Sequence, residues 1–378
     1  MLRKRQHNIM SLVFLFSCQF AYPFLERANL PFLSISHFLH RHLLWFLIAA
    51  YVIAVILPVP GLWIRNVSFG EITILEHKTN ISLLMIMLAM LMFNAGLGLK
   101  ISHLKNILRI KHVLLAGLAA NLAIPIVYVF GITIAMRLWY EPLEVQHILV
   151  GLALVAAMPI AGSSTAWAQN ANGNLALSLG LVFFSTILSP IVTPVAFEIF
   201  GEMASEEYET VLQGLAAYGS GAFLGLWVVL PSLLGIAVRL IVRERGQTGV
   251  MPYLKFINSI VLLLLNYSNA SVSLPQAMVD RDYDFLAITL AITAGLCLTL
   301  FAAGYGLSRL FKLNQAERVS LMFGLGMNNN GTGLVLASLA LSSYPNIMVP
   351  IIFYNLVQHI VAGTVQEIMS RRTNDMNT

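Results

Sequence analysis

The sequence has little charge for its length. Asp, Glu, Lys and Arg together make up 10% of the 378 residues, whereas hydrophobic residues make up 58%. A soluble globular domain carries about 25% charged residues. The deficit excludes an ordinary soluble protein and indicates an integral membrane protein that crosses the bilayer several times.

Cysteine and nucleotide-binding motifs are also scarce. The two cysteines, Cys18 and Cys297, lie far apart in apolar surroundings, which argues against a disulfide framework and a metal site. The sequence contains no Walker loop and no G-x-G-x-x-G motif after a strand. We therefore expect no cofactor and no ATP-driven pumping by this chain, and we expect that no ATP-binding partner is required.

Acidic residues are missing from two long apolar regions. No Asp or Glu lies between Glu144 and Glu198, or between Glu317 and Glu367, and His359 is the only histidine in the second half. An intramembrane enzyme needs a nucleophile with a base, a metal cluster or paired carboxylates near the membrane centre. The sequence therefore predicts that the protein is not an enzyme.

Apolar runs, by contrast, are abundant. A membrane-spanning helix needs about 20 predominantly apolar residues, and ten segments approach or exceed this length. They lie at 43–64, 80–98, 112–136, 146–171, 175–199, 211–238, 256–274, 285–308, 319–341 and 347–366. The sequence therefore predicts an all-α polytopic membrane protein with ten transmembrane helices in contact with membrane lipid.

The basic residues fall on alternate sides of these ten spans. Eighteen of the 22 lysines and arginines lie before the first span or after the second, sixth, eighth and tenth, and the other four are Arg65, Lys78, Arg137 and Arg281. Loops rich in Lys and Arg stay in the cytoplasm. The pattern predicts that both termini are cytoplasmic, and it explains the net charge of +5 without nucleic acid as a partner.

Residues 1–42 precede the first span and contain a further apolar run, Ile9–Leu25, after a basic start. The run lacks the small-residue cleavage site of a signal peptide, and an eleventh span would place the basic residues 3–5 outside. We therefore predict an interfacial helix or a poorly ordered leader, with a misassigned start codon as the alternative. Residues 371–378 are predicted to form a cytoplasmic tail.

Two of the spans are interrupted by polar and small residues. Ten spans divide into two halves of five, and an odd number of spans inverts the second half relative to the first. The fourth span reads 158-MPIAGSSTAWAQNANGNLALS-178 and breaks after Pro159, at residues 162–165. The ninth reads 322-MFGLGMNNNGTGLVLASLAL-341 and breaks at residues 324–333. The sequence therefore predicts two inverted five-helix repeats in which broken helices 4 and 9 cross.

Such interruptions need a physical reason at membrane depth. Freed backbone groups are tolerated there only inside protein or beside a wet cavity, and two crossing breaks would pair these groups. The half-helix N-termini suit an anion, and carbonyl, Ser, Thr and Asn oxygens suit a small hard cation. The alternative is a pair of small-residue packing seams with polar side chains between helices. Because paired interruptions point to a transport site, we favour a transporter.

Several motifs resemble those of the bile acid:sodium symporter family. The runs Gly173-Asn174…Leu177-Ser178 and Ser185-Thr186-Ile187-Leu188-Ser189-Pro190…Thr193-Pro194 resemble the family's fourth and fifth helices. Gly326-Met327-Asn328-Asn329 resembles the Gly-x-Gln-Asn signature of its ninth helix, and 92–97 the end of its second. Gln358-His359 falls where the family often has a histidine. The chain is identified as a bacterial-type member.

The resemblance covers residues 43–370 and implies one transporter domain of ten helices. Helices 3–5 and 8–10 would form a core domain with the crossing breaks, and helices 1, 2, 6 and 7 a panel domain beside it. The implied function is secondary active transport of a small organic anion, bile-acid-like or another carboxylate, by sodium-coupled alternating access. For a bacterial member we expect the inner membrane.

The resemblance also implies site residues at the crossover. Side-chain oxygens would bind sodium at every position except Leu325 and Met327, where the backbone carbonyls would do so. The implied sodium-binding residues are Ser164, Thr165, Ser178, Asn121, Leu325, Met327 and Asn328. The implied substrate-binding residues are Asn94, Thr165, Asn329 and His359.

Three of these residues have a second interpretation. On an apolar helix, His359 is either a core histidine bonded to a neighbouring carbonyl or a contact for substrate or a proton. Asn94 and Asn121 are either polar contacts between helices or part of the cavity lining.

The sequence departs from the family's pattern at one important position. The family usually has a glutamate, shared by both sodium ions, two residues before Gly-x-Gln-Asn, and this chain has Gly324. A further hydroxyl ligand of the fifth helix corresponds to Val182. A cation would then be held by neutral oxygens alone. The alternative function is therefore a sodium-independent exporter or facilitator of the same fold, working by proton coupling or exchange.

Overall fold

The computed structural model describes residues 38–39, 42–74, 77–99, 110–204, 206–241, 244–279, 282–341 and 343–377. Nearly all of the predicted leader lies outside the described residues. Of the predicted tail, only the backbone of residues 371–377 is described.

The described residues are mostly helical. In chain order the elements are α1 (Leu43–Ile56), α2 (Val59–Asn66), β1 (Ser68–Ile74), β2 (His77–Ser82), α3 (Leu83–Gly98), α4 (Lys111–Ala135), α5 (Pro142–Ala156), α6 (Ser163–Asn170), α7 (Leu175–Gly201), α8 (Glu206–Gly214), α9 (Ser220–Leu224), α10 (Leu230–Ile241), α11 (Glu244–Val279), α12 (Tyr283–Leu310), α13 (Gln315–Gly326), α14 (Asn330–Ala340) and α15 (Met348–Asn377). Two π-turns, Leu215–Gly219 and Gly225–Val229, join α8, α9 and α10 into one long helical segment.

A helix or a group of consecutive helices lies in each of the ten ranges predicted as spans. Among the described residues, six helical segments are long and apolar enough to cross a membrane singly, and the pair α1 and α2, bent by 97°, would make a seventh. Large apolar side chains such as Leu138 and Trp45 are exposed on these helices, as expected where lipid is the solvent. The prediction of a mostly helical, multi-pass membrane protein is confirmed, whereas ten spans and inverted repeats stay predictions.

A β-hairpin, not expected from the sequence, lies between α2 and α3. Strands β1 and β2 pair antiparallel, with Glu71 opposite Asn80 and Thr73 opposite Lys78. Their sequences carry β-branched residues that favour extended backbone, but each run is too short and too polar to stand out beside the apolar spans.

Both predicted interruptions are present, but their bounds differ from the predicted ones. The first covers residues 157–162 and so lies earlier than the predicted 162–165, because α6 begins at Ser163. The second covers only residues 327–329, because α13 continues through Gly326 and α14 begins at Asn330. Glycine weakens an isolated helix. In α13, however, Gly326 faces the Phe301 ring so closely that a side chain would not fit, and tertiary packing outweighs intrinsic propensity.

An asparagine cap connects the start of α7 to α13, the helix before the second break. Asn174 is the N-cap of α7 and accepts a hydrogen bond from Leu177 N at 3.1 Å. Its backbone N–H donates to Ala316 O at 2.9 Å, and its carbonyl accepts from Ser320 Oγ at 2.8 Å. Asn174 therefore begins one helix and anchors it to α13.

The helices pack as two groups. In one, α3 packs extensively on α10, and α11 packs on α1, α2 and α3. In the other, α12 packs on α4, α13 and α15, and α7 packs on α4, α6 and α13. Helix α5 is buried on almost every side from Val145 onward, which marks it as the centre of the second group.

Gly304 sets the distance between α12 and α13. A Cβ atom at this position would lie 2.6 Å from Met322 Cα and 2.8 Å from Leu321 O, both backbone atoms. Only glycine allows this approach, which fixes α13 and thereby the second break.

We predict that Gly304→Ala destabilises the protein by about 1–3 kcal/mol, because overpacking forces the two backbones apart. Thermal unfolding of the purified protein in detergent measures the change. Gly306→Ala is the matched control, since the space around Gly306 on the same helix is open among the described residues. Equal melting temperatures for the two variants would contradict the prediction.

Candidate functional site

The two breaks cross and pair with each other. Ile160 and Asn328 form an isolated antiparallel β-bridge. Ala161 N donates to Met327 O at 2.9 Å, and Asn329 N donates to Pro159 O at 2.9 Å. Each break thus supplies the partners that the other has lost, as the membrane interior requires.

Two side chains of α7 pair further backbone groups of the first break. Ser185 Oγ on α7 accepts from Ile160 N at 3.1 Å. Thr193 Oγ1, two turns further along, donates to Ala157 O at 2.6 Å. Both residues belong to the Ser-Thr-x-x-Ser-Pro…Thr-Pro run. Their role could not be predicted, because nothing in a sequence shows which distant backbone group a hydroxyl reaches.

The second break is held mainly by α15. Gln358 Oε1 accepts from Asn328 N at 3.1 Å, and Tyr354 OH donates to Gly326 O at 3.2 Å. Asn328 Nδ2 donates to Val155 O at the end of α5, at 3.1 Å. This last bond fixes the orientation of the Asn328 amide, because a flipped amide would place oxygen against oxygen.

Several predicted sodium ligands lie at this crossover. Ser164 is fully buried in the first turn of α6. Ser178 Oγ on α7 donates to Thr165 Oγ1 at 3.2 Å, so these two predicted ligands are in contact. Leu325 is buried in the last turn of α13, and the Met327 carbonyl accepts the N–H of Ala161.

Asn121 approaches the crossover from α4. It lines a cavity between α4, α5 and α7 together with Met158, Pro159, Ser185 and Ser189. No hydrogen bond joins Asn121 to the other predicted ligands among the described residues.

Three of the predicted ligands carry buried oxygens that lack a hydrogen-bond partner among the described residues. They are Ser164 Oγ, Asn121 Oδ1 and Asn328 Oδ1. A buried polar atom without a partner costs about 1–3 kcal/mol. Neutral amide and hydroxyl oxygens are ligands that a hard cation accepts, so this donor set fits a small cation.

The predicted substrate residues are partly exposed, as a cavity lining requires. Asn329 caps α14, and its Nδ2 donates to Met92 Sδ on α3 at 3.4 Å. A Cβ atom at Gly162, the N-cap of α6, would lie 3.5 Å from Ala95 Cβ. The segment around Asn94 therefore lies beside the N-termini of α6 and α14, where the helix dipoles favour an anion.

His359 is placed differently. Its ring lies 6.3 Å from the ring of Trp167 on α6, and Trp167 stacks on Phe323 at 6.4 Å. No contact joins His359 to Asn94 or Asn329 among the described residues. The neighbouring Gln358, rather than His359, reaches the crossover.

The position of the missing glutamate is filled by a hydrocarbon side chain. A Cβ atom at Gly324 would lie 2.7 Å from Leu181 Cδ1. Gly324 and Leu181 are both buried. No carboxylate contributes to the crossover in the described part of the chain.

The profile of the sodium bile acid symporter family matches residues 85–278, just over half of the chain. The chain belongs to the sodium bile acid symporter family. This confirms the resemblance, and because the family consists of transporters, the protein is a membrane transporter rather than an enzyme. The match includes the first break and ends before the second.

Three relatives illustrate how distant the similarity is. The chain is 27% identical to the uncharacterized protein YbaS of Bacillus subtilis, over 59% of this chain and 69% of the relative. It is 26% identical to the uncharacterized sodium-dependent transporter YocS of the same species, over 75% and 81%. It is 24% identical to sodium/bile acid cotransporter 7 of Danio rerio, over 75% and 83%.

We predict that Ser185→Ala destabilises this member of the family by about 1–3 kcal/mol, because the buried N–H of Ile160 loses its acceptor. Ser189→Ala is the matched control one turn later. Among the described residues, the Ser189 hydroxyl donates only to Thr186 O within its own helix, at 2.7 Å. Thermal unfolding in detergent compares the two variants, and an equal loss of stability would contradict the assigned role of Ser185.

Proposed function

We propose that this protein is a secondary active transporter that moves a small organic anion by sodium-coupled alternating access. The observation that carries the proposal is the crossover, where the N-termini of α6 and α14 begin beside buried, unpartnered oxygens. One arrangement thus offers positive helix ends for an anion and neutral oxygens for a cation. The names of YocS and of sodium/bile acid cotransporter 7 support sodium as the coupling ion.

The proposed architecture has ten spans in two inverted repeats, one domain over residues 43–370. The group formed by α1, α2, α3, α10 and α11 corresponds to the panel, helices 1, 2, 6 and 7. The group formed by α4–α7 and α12–α15 corresponds to the core. Alternating access then consists of movement of the core against the panel, with both termini in the cytoplasm and the protein in a bacterial inner membrane.

We propose that sodium binds between Ser164, Thr165, Ser178, Asn121 and Asn328, with backbone oxygens of Leu325 and Met327. The direct contact of Thr165 with Ser178 supports a shared ligand set. Without the family's glutamate, neutral oxygens alone would hold the ion. We therefore expect weak binding of a single sodium ion.

The proposed substrate is a bile-acid-like anion or another small carboxylate. Asn94, Thr165 and Asn329 would bind it next to the helix N-termini. His359, packed against Trp167, would border the substrate from the α15 side. None of these residues is charged, so the helix dipoles and amide donors would supply the attraction.

A second candidate is a sodium-independent exporter or facilitator with proton coupling or exchange. The contact between Gly324 and Leu181 favours it, because hydrocarbon occupies the place of the shared carboxylate. Proteoliposome uptake of labelled taurocholate separates the candidates. Sodium-driven, saturable uptake with counterflow supports the symporter, sodium-independent counterflow supports an exchanger, and flux without saturation supports a facilitator.

We predict that sodium, but not potassium or choline at equal ionic strength, raises the thermal stability of the purified protein. A ligand that binds only the folded state adds about 2.7 kcal/mol at a hundredfold excess over Kd. Ser164→Ala and Asn328→Ala should abolish the sodium-specific increment. Ser268→Ala should retain it, because this buried serine bonds within its own helix, α11, to Leu264 O at 2.7 Å. A response to sodium in all three variants would exclude the assigned ligands.

A carboxylate restored at the crossover should strengthen the sodium site. We predict that Gly324→Glu combined with Leu181→Ala, which removes the blocking methyl groups, lowers the Kd for sodium by about tenfold or more, since charged partners add about 1.5–3 kcal/mol. Gly324→Gln with Leu181→Ala controls for volume without charge. Isothermal titration measures both, and equal affinities would show that position 324 does not face the ion.

A further inference from the structure

A chain of buried side-chain amides leads from the crossover to the opposite helix group. Beyond Asn328, Gln358 Nε2 donates to Asn355 Oδ1 at 3.2 Å. Asn355 Nδ2 lies 2.8 Å from Asn266 Oδ1 and 3.0 Å from Tyr51 OH. Tyr51 OH also donates to Asn266 Oδ1, at 3.0 Å. The contacts form a continuous path from a predicted sodium ligand to α1 and α11.

Every member of this chain is oriented by its neighbours. Asn266 Nδ2 donates to Leu262 O at 2.8 Å, so the Asn266 oxygen must face Asn355. Asn355 then presents its oxygen to Gln358, and Gln358 presents its oxygen to the Asn328 N–H. One flipped amide would place two donors or two acceptors against each other. The direction of the hydrogen bonds is therefore fixed from one end to the other.

The chain crosses between the two helix groups at one point. Asn355 and Gln358 are three residues apart on α15 and share one face of that helix. Tyr51 and Asn266 lie on α1 and α11 in the opposite group. All four side chains are buried, with at most 6% of their surface exposed. Buried amides in contact have no water to replace a lost partner.

We propose that Tyr51, Asn266, Asn355 and Gln358 form a relay that couples sodium binding at Asn328 to docking of the core on the panel. The inference rests on the function proposed above. The four residues are positioning residues, because Gln358 holds the backbone of Asn328 while the Asn328 side-chain oxygen is directed to the ion.

The coupling follows from shared bonds. Asn328 is held at its N–H by Gln358 and at its Nδ2 by Val155 O, which leaves Oδ1 for a ligand. Separation of core and panel breaks the bonds of Asn355 to Asn266 and Tyr51 and frees Gln358 to turn away. Loss of the relay therefore loosens docking and weakens sodium binding, and by linkage the two effects share one coupling factor.

Distances between spin labels on the two groups test the relay in the full chain. Labels at Leu138→Cys and Val279→Cys lie on the core and the panel, at positions that are 93% and 78% exposed. Both label positions are introduced into a Cys18→Ser variant. The other native cysteine, Cys297, can stay because it is fully buried. Distance distributions are recorded over a sodium titration against choline.

Two relay variants and one matched control are compared. Tyr51→Phe removes one hydroxyl, and Gln358→Met removes the amide at similar volume. Tyr267→Phe removes a hydroxyl of the same chemistry that bonds Leu57 O within the panel group, at 2.6 Å. If Gln358→Met does not fold, Tyr51→Phe remains informative, because Asn266 keeps its bond from Asn355.

The distance distributions should contain a docked and a separated population of core and panel. We expect each relay variant to raise the ratio of separated to docked molecules by about twofold to tenfold, the range of one hydrogen bond. The sodium concentration of half-maximal response should rise by a similar factor, and Tyr267→Phe should match the wild type. Relay variants that also match the wild type would overturn the relay alone. A wild type with no sodium response would instead overturn the sodium coupling of the proposed function and the relay's part in it.

Discussion

The pairing of two broken helices with each other is the constraint on which this structure depends. A break inside a membrane leaves backbone groups that neither water nor lipid can pair. Here the N–H of Ala161 and the carbonyl of Met327, and the N–H of Asn329 and the carbonyl of Pro159, pair across the crossing. The helices that carry the two breaks must therefore be placed so that these backbone groups meet.

Much of this arrangement could be predicted from sequence, because the signals are local. Glycines, prolines and asparagines inside apolar runs mark where a helix is weakest, and each break contains residues of this kind. Their true extent could not be predicted. Whether Gly326 interrupts α13 or merely lets it approach Phe301 depends on a residue of α12 that lies more than 20 positions away in the chain. The hairpin could not be predicted, because the alternation of apolar and polar residues in its strands is weak and extends over fewer residues than any of the apolar runs.

In the candidate site, too, the sequence indicated which residues take part, but not which groups they contact. Resemblance selected Thr165 and Ser178, which are in contact, and Ser164, Asn121 and Asn328, whose oxygens are buried and unpartnered among the described residues. It drew attention to His359 on α15, yet Gln358 holds the crossover. Adjacent residues on a helix point about 100° apart, so a motif locates the turn but not the side chain that faces inward. Ser185 and Thr193 needed the fold itself.

No carboxylate lies at the crossover in the described part of the chain. In the proposed mechanism, this affects how the binding of sodium and the binding of substrate are coupled. A cation among neutral oxygens keeps its full charge, and in a site of low polarity that charge needs a counter-charge. If Thr165 contacts both the cation and the substrate, as proposed, the substrate carboxylate becomes the nearest negative group. At a separation of 4 Å, such a pair gains about 4 kcal/mol at an effective dielectric constant of 20. Each ion then binds weakly alone and more tightly with the other. This mutual dependence is what obliges a symporter to carry both together, and it would arise here because Leu181 occupies the place of a glutamate.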